Sequence, residues 1–138
     1  METIEIKNIN GVVLFSHTAE NNTVKLTVEE AVKKNVCLTL ADLGDAELAG
    51  ANLKGAIFRG ANLRGANLRD TNLEKADLAW ANLDSADLNG TYLYRANLEG
   101  ADLRNAVLNG EDLVGANIYG ANLNGAKNIP FIPSVLVK

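Results

Sequence analysis

The sequence is poor in the residues that form covalent links and metal sites. Its 138 residues include one cysteine, Cys37, and one histidine, His17. A single cysteine excludes an internal disulfide, and one cysteine with one histidine cannot supply the ligands of a protein-bound zinc ion. We therefore expect no metal and no cofactor in this protein.

Prolines and long apolar runs are also scarce. The two prolines, Pro130 and Pro133, both lie near the C-terminus, which leaves the rest of the chain free to form backbone ladders. No stretch approaches the roughly 18 apolar residues of a membrane-spanning helix, and the first residues lack the basic and apolar regions of a secretory signal. The expected location is the cytoplasm, without membrane contact.

The chain has no excess of positive charge. Its 13 lysines and arginines are scattered among 17 acidic residues, which gives a formal net charge of −4. A protein that binds DNA or RNA directly needs a basic surface to neutralise the phosphates. Direct binding to nucleic acid is therefore not expected.

What the sequence does contain is a five-residue repeat that runs from Ala41 to Gly125 without an insertion. There are seventeen copies, whose third residue is Leu except at Phe58 and Ile118. So short a period requires each unit to bury its apolar residues against its neighbours, which predicts one all-β solenoid over residues 36–125. An α-helix is excluded, because apolar residues five apart do not stay on one helical face.

Each position of the repeat has a predicted role. The first residue, usually Ala, and the third, Leu, should point inward. The second is mostly Asn or Asp, whose short side chains bond nearby backbone in turns. The fifth is most often Gly, which adopts a positive φ at a corner without steric cost. Asp and Asn alternate at the second position, which favours turn formation over acid–base catalysis.

The tandem Ala-(Asn/Asp)-Leu-x-x pattern resembles the pentapeptide-repeat family. The resemblance implies a right-handed quadrilateral β-helix, in which each repeat forms one side and four repeats form one coil. At about 4.8 Å per coil, the regular block should rise roughly 20 Å. Three first-position exceptions to Ala, namely Thr71, Thr91 and Glu111, lie twenty residues apart and should form one column. In that column the Thr91 hydroxyl is predicted to donate to the inward Glu111 carboxylate.

Residues 1–35 lack the repeat and are predicted to cap the solenoid. Apolar and charged residues alternate over Ile4–Lys7, Asn10 and Gly11 form a two-residue turn, and Val12–Phe15 can return antiparallel, which predicts a β-hairpin. We expect a polar, turn-rich segment from Ser16 to Asn22.

A short helix is predicted after the hairpin. Residues 23–26 favour a further short strand, and Thr27 with Glu30 has the spacing of a capping box, so the helix should begin at Thr27. Its apolar face would then contain Val28, Ala31 and Val32. Residues 36–40 are interpreted as an irregular repeat of uncertain register.

Residues 126–138 form an apolar C-terminal tail. Its candidate contact residues are Ile129, Phe131, Ile132, Val135 and Leu136. Two interpretations stay open. The tail either folds over the last coil as a plug or joins two chains, since the resemblance implies dimerisation through C-terminal ends.

Four aromatic residues occupy outward positions of the repeats and form a candidate interaction surface. They are Trp80, Tyr92, Tyr94 and Tyr119. The alternative is that each aromatic side chain simply rests on the adjacent coil.

No arrangement of residues in the sequence indicates catalysis, so we expect a non-enzymatic structural or interaction scaffold with an unidentified protein partner. The resemblance implies one alternative function. Some pentapeptide-repeat proteins mimic DNA, bind DNA gyrase and change sensitivity to quinolones. The repeat block carries twelve acidic and seven basic residues, and this acidic excess favours that alternative.

Overall fold

The computed structural model describes residues 1–109 and 112–129. Its extended strands and its α-helix all lie near the N-terminus: β1 (Glu2–Lys7), β2 (Val13–Ala19) and α1 (Val24–Lys33). The remainder of the described chain winds into coils held together by single parallel β-bridges.

Residues twenty apart pair in parallel along the solenoid, from the Asp42–Asn62 bridge to the Val107–Lys127 bridge. Each coil therefore contains four repeats of five residues, as predicted. The second-position residue makes both of its backbone bonds to the coil below. For example, the Asn62 N–H donates to the Ala41 carbonyl at 2.8 Å, and the Asn62 carbonyl accepts from the Leu43 N–H at 2.7 Å. The chain is a β-helix solenoid, and the hand of its winding stays a prediction.

Third-position side chains fill the interior of the coils. From Leu48 to Leu108 none of them is more than 1% exposed, so each contributes on the order of 1.5 to 3 kcal/mol through burial. Burial decreases towards the C-terminal end, where Ile118 is 7% exposed and Leu123 is half-buried. The interior is therefore tightest in the middle of the stack.

Two threonines replace Ala in one inward column and satisfy their hydroxyls with backbone carbonyls. Thr71 Oγ1 donates to the Leu48 carbonyl at 3.0 Å, and Thr91 Oγ1 donates to the Leu68 carbonyl at 2.9 Å. The Thr91 hydroxyl thus already has a backbone acceptor, and the predicted bond to Glu111 stays a prediction. Glu111 itself lies outside the described residues.

The fifth position of each repeat turns a corner. The φ angles of the described fifth positions from Asp45 to Gly125 lie between 54° and 78°, which is the left-handed region that glycine enters at no steric cost. The predicted role of the glycines is confirmed. Trp80 adopts the same conformation, with φ at 61°, although a bulky side chain is disfavoured there.

The predicted hairpin is present, with β1 and β2 antiparallel. β2 is longer than expected, because it continues to Ala19 where a turn-rich segment was predicted from Ser16. The polar residues of this part stay in the strand by pairing across the hairpin. Thr18 lies opposite Thr3, and their hydroxyl oxygens are 2.6 Å apart.

The helix α1 begins one turn earlier than predicted. Thr23 is its N-cap, and Thr23 Oγ1 accepts from the Leu26 N–H at 3.1 Å. The predicted strand over residues 23–26 and the predicted N-cap at Thr27 are both wrong. Thr27 is buried, and its hydroxyl donates to Asn22 Oδ1 at 3.2 Å. The earlier start adds a turn that packs Val24 against the core, and such packing outweighs local cap preference.

Both N-terminal elements contact the first coil. The Asp42 N–H donates to the Lys7 carbonyl at 2.7 Å, and the Asn52 N–H donates to Glu29 Oε1 at 2.8 Å. The Lys7 carbonyl and the Glu29 carboxylate thus replace the backbone carbonyl acceptors that a lower coil would supply. Residues 36–40 lie beneath the repeat of Ile57, since the Leu38 N–H donates to the Ile57 carbonyl at 3.0 Å.

We expect Glu29→Ala to lower the free energy of unfolding by about 1 kcal/mol, because it removes a charge-assisted hydrogen bond from the end of the coil. The matched control is Glu30→Ala on the same helix. Glu30 pairs with Lys33 at 3.9 Å and Lys34 at 3.4 Å, and such exposed pairs contribute about 0.5 kcal/mol or less. Urea denaturation measures both losses. Equal losses would show that the contact of Glu29 with the coil adds nothing.

Candidate interaction surface

The outward Asn and Asp side chains are engaged in turns along the described solenoid. Apart from Asp112, each Asn or Asp in the second position accepts a hydrogen bond from the backbone N–H two residues ahead, as between Asn62 Oδ1 and Arg64 at 3.1 Å, and between Asp77 Oδ1 and Ala79 at 3.2 Å. Asp and Asn thus perform the same structural task at equivalent positions. Within residues 1–109 and 112–129, no group of three or more histidine, cysteine, aspartate or glutamate side chains is placed to hold a metal ion.

Four basic residues in the fourth position of successive repeats form a ring around one coil, and each pairs with a carboxylate of the next coil. We call this arrangement the charge belt. Its pairs are Lys54–Glu74 (3.2 Å), Arg59–Asp77 (2.9 Å), Arg64–Asp84 (3.5 Å) and Arg69–Asp87 (3.2 Å). Because the two signs alternate between adjacent coils, the surface is locally balanced there rather than uniformly acidic.

Hydrogen bonding lowers the pKa of two outward aspartates. The Asn105 amide donates to Asp84 at 3.0 Å and, with Ser85 and Arg64, holds the pKa of Asp84 below its ordinary value. The guanidinium of Arg104 binds both oxygens of Asp102 and lowers the pKa of that carboxyl. Both carboxyl groups stabilise the fold above their ordinary pKa and lose this contribution as the pH falls through the lowered values.

All four predicted aromatic side chains point outward and are largely exposed. The exposed fractions are 63% for Trp80, 67% for Tyr92, 58% for Tyr94 and 58% for Tyr119. The one stacked aromatic pair in the described part of the chain is Phe15 with His17, far from these four in sequence, with ring centroids 6.5 Å apart. The structure therefore exposes the four aromatics without stacking them on one another.

Two of these rings lie against a glycine of the next coil. A Cβ atom added at Gly100 would lie 2.3 Å from Trp80 Cε3, and one added at Gly115 would lie 2.6 Å from Tyr94 Cδ2. Both distances are too short for real atoms, so only glycine leaves room for the ring. We call these two contacts glycine sockets. Trp80 and Tyr94 do rest on the adjacent coil, and more than half of each side chain is nevertheless exposed.

The regular pairing is interrupted above Tyr92. No bridge joins Tyr92 to Asp112, although both residues are described, and the Arg95 N–H donates to the Gly115 carbonyl at 3.0 Å, one residue beyond the usual partner. The Asp112 carboxylate accepts from the Gly90 N–H at 3.3 Å and from the Asn109 N–H. A cleft of about 520 Å³ lies beside this break and is lined by both carboxylates and aromatics, including Asp70, Asp112, Tyr92 and Tyr94.

Asp112 is buried at 8% exposure. Burial raises the pKa of its carboxyl, although the two backbone donors act against this rise. The sequence did not single out Asp112 as a buried carboxylate, because Asp is one of the usual residues in the second position of the repeat. The departure of residue 111 from the usual Ala is the one nearby signal of irregularity in the sequence.

We expect Asp112→Asn to change stability in a pH-dependent way. The raised pKa means that the folded parent holds a proton that the unfolded chain releases, so the parent loses stability as the pH rises from the ordinary aspartate value through the raised one. The variant lacks this loss. Its stability relative to the parent should therefore be higher at pH 7 than at about pH 3, as measured by thermal unfolding. Asp84→Asn is the control and should show the opposite trend, since the pKa of Asp84 is lowered. A relative stability of Asp112→Asn that falls with rising pH would contradict this account.

The described solenoid extends past the regular repeats. Lys127 pairs with Val107, so pairing continues into the segment from residue 126 onward that was predicted to be the tail. Of the predicted tail contacts, Ile129 is 41% exposed. The others, Phe131, Ile132, Val135 and Leu136, lie outside the described residues, and the plug and the dimer contact both stay predictions.

A membrane-crossing helix needs about 20 apolar residues, and none of that length and apolarity occurs in the part of the chain that the structure describes.

Comparison with protein families identifies the repeat. The model for pentapeptide repeats matches eight copies, over residues 37–74, 61–100, 71–110 and 96–127. No curated protein matches the chain.

Several solved structures are similar. The pentapeptide repeat protein Rfr23 from the cyanobacterium Cyanothece 51142 is 36% identical, with 66% of this chain and 64% of Rfr23 covered and a TM-score of 0.37. A pentapeptide repeat protein from Nostoc PCC 7120 is 34% identical, with 68% and 93% covered and a TM-score of 0.32. QnrB1, a plasmid-mediated fluoroquinolone resistance protein, is 20% identical, with 70% and 57% covered and a TM-score of 0.36.

The chain thus spans 64% of the length of Rfr23 and 57% of that of QnrB1. The family model alone covers well over half of the chain, and its repeats coincide with the coils in the structure. Proteins built from this repeat are generally structural or interaction proteins. The chain belongs to the pentapeptide repeat family.

Proposed function

We propose that this protein is a non-enzymatic scaffold that binds a protein partner through its outward aromatic residues. The observation that carries this proposal is the pair of glycine sockets, which hold Trp80 and Tyr94 against the solenoid while leaving them 63% and 58% exposed. Large amphipathic side chains with few accessible rotamers are efficient anchors in protein interfaces.

The rigidity of the solenoid supports the same function. An interface loses part of its binding energy when flexible side chains become ordered. Trp80 and Tyr94 are already confined, since each ring is supported by the backbone of the next coil.

The test compares two variants in a quantitative pull-down with extract of the source organism. The first is the double variant Trp80→Ser/Tyr94→Ser, and the control is Ile57→Ser, which also removes a large side chain from the surface at 40% exposure. We expect the double variant to lose specific partners that the parent and the control retain. Retention of the same proteins by all three would contradict the aromatic surface. Circular dichroism checks that each variant is folded.

A second candidate function is DNA mimicry directed at DNA gyrase or another topoisomerase, with an effect on quinolone sensitivity. The excess of acidic residues in the repeat block supports it. The charge belt opposes it, because a DNA-like surface repeats phosphate charges along its whole length, whereas the basic ring interrupts the acidic surface.

A gyrase supercoiling assay with and without a fluoroquinolone tests this second function. Inhibition or drug protection by the purified protein would favour DNA mimicry over the scaffold. The charge-reversed variant Arg64→Glu extends the acidic surface and should then increase the effect. No effect at a large molar excess would leave the scaffold as the proposed function.

We also propose that the hairpin and α1 cap the N-terminal end of a right-handed quadrilateral coil in a cytoplasmic protein. The bonds from Asp42 to Lys7 and from Asn52 to Glu29 support the capping role, since they satisfy backbone donors that otherwise face solvent at the end of a β-helix.

A further inference from the structure

The first coil has no coil beneath it, so its downward backbone groups need other partners. In the regular higher coils the second-position residue directs both its N–H and its C=O to the coil below, as Asn62 does with Ala41 and Leu43. In the first coil the four residues in this position are Asp42, Glu47, Asn52 and Ile57.

Three of these four residues find a partner. The Asp42 N–H donates to Lys7, the Asn52 N–H donates to Glu29, and the Ile57 carbonyl accepts from Leu38. Glu47 differs, because neither its N–H nor its C=O has a backbone or side-chain partner among residues 1–109 and 112–129. One side of the coil therefore presents an open pairing position at its lower edge.

A cleft of about 550 Å³ lies at this position, between β1, the start of α1 and the repeat containing Glu47. Its lining includes the half-buried side chains of Val24 and Ala46, with the buried Ile6 and Leu43 behind them. Ala46 is half-buried, whereas the first-position alanines of the middle coils are fully buried. The cleft thus combines an apolar surface with an unused strand edge.

The border of this cleft is mainly acidic. Its charged residues are Glu5, Asp42, Asp45, Glu47 and Lys25. Of the four carboxylates, Glu5 pairs with Lys7 at 3.4 Å, whereas Asp42 and Glu47 accept from neutral asparagine amides. The border therefore has a net negative charge, which attracts a basic ligand and disfavours an acidic one.

We propose that this basal cleft binds an extended, lysine- or arginine-rich segment of a partner protein, which adds a short strand beneath Glu47. Strand addition uses main-chain hydrogen bonds for affinity and alternate side chains for specificity. The N–H and C=O of Glu47 supply the main-chain bonds, Val24 and Ala46 contact the apolar side chains, and Asp45 attracts the basic ones. This site is separate from the aromatic surface and does not depend on it.

The experiment measures binding of synthetic peptides to the uniformly ¹⁵N-labelled full chain by NMR. The probe is a capped heptapeptide of alternating lysine and valine. Its controls are the same peptide with glutamate in place of lysine, and a version with N-methylated valines that cannot donate main-chain hydrogen bonds. We expect the lysine peptide alone to shift the amide signals of Glu47, Ile6 and Val24 and to protect the Glu47 amide from hydrogen exchange.

Two matched variants locate the charge that recognises the peptide. Asp45 and Asp70 both occupy corners, with φ of 56° and 54°, and each lies beneath a glycine of the next coil. Only Asp45 lines the basal cleft. Asp45→Lys should weaken binding of the lysine peptide by at least about threefold through like-charge repulsion, and Asp70→Lys should leave it unchanged.

Three results would overturn the proposal. They are the absence of any shift at Glu47 with the lysine peptide, equal binding of the N-methylated or the acidic peptide, and equal weakening by Asp45→Lys and Asp70→Lys. The aromatic scaffold is tested separately, because Trp80→Ser/Tyr94→Ser should leave peptide binding at the basal cleft intact.

Discussion

Leu83→Lys is expected to lower the free energy of unfolding by at least about 5 kcal/mol. Loss of a fully buried leucine side chain in a tight core costs about 2 to 5 kcal/mol, and an unpaired ammonium group adds several more. Leu83 is 0% exposed, with coils on both sides. Damage there also breaks the contacts between neighbouring coils on which solenoid stability depends, so much of the chain should be unfolded without denaturant.

Leu123→Lys is the matched comparison, because Leu123 has the same position in the same side of a later coil. It is half-buried, so the lysine side chain can extend to solvent, and the expected loss is about 1 to 3 kcal/mol. Far-ultraviolet circular dichroism without denaturant gives the folded fraction of Leu83→Lys, and urea unfolding followed by the same signal measures the loss in Leu123→Lys. Equal losses at the two sites would argue against stability built from neighbouring coils.

Gly100→Ala is expected to have the second largest effect. The alanine must adopt a φ near 64°, which costs about 1 to 2 kcal/mol for a residue with a Cβ atom. Its Cβ would also lie 2.3 Å from the Trp80 ring, and relief of such a clash costs about 1 to 3 kcal/mol more. The combined loss should be about 2 to 5 kcal/mol in thermal or urea unfolding.

Gly55→Ala separates these two contributions. Gly55 has a similar φ of 72°, but no other atom lies within 4 Å of the place that a Cβ would occupy. Its loss should therefore reflect the backbone conformation alone. When Gly100→Ala is added to the Trp80→Ala variant, the further loss should equal that of Gly55→Ala in the parent, because the clashing ring is gone. If Gly100→Ala and Gly55→Ala cost the same in the parent, the glycine socket does not constrain Trp80.

The parts of the fold that repeat were predictable from the sequence, and the parts that depend on single contacts were not. The Leu and Ala columns and the corners follow from a pattern stated many times over, and the four-repeat coil was implied by the resemblance to the family. The start of α1 was misplaced because Thr23 and Thr27 both have the chemistry of an N-cap, and packing of Val24 decides between them.

Single contacts at the candidate interaction surface were likewise not predictable from the sequence. The exposure of Trp80 followed from its position in the repeat, but its contact with Gly100 joins residues in different coils. The burial of the Asp112 side chain could not be predicted, because Glu111 marks its repeat as irregular without indicating where the neighbouring carboxylate turns. The bond between Glu29 and Asn52 joins a helix to a coil, so it depends on tertiary packing and not on local pattern.

The charge belt also bears on how the chain selects one winding among many. Because the repeats are nearly identical, a misfolded coil displaced by one repeat would still place leucine over leucine and alanine over alanine. Arg64 would then face Asn89 instead of Asp84, and Arg59 would face Asn82 instead of Asp77. The displaced coil would also bring the Trp80 ring onto Asn105, where there is a side chain instead of a glycine. The outer surface therefore distinguishes the native alignment from displaced ones that the uniform interior would tolerate.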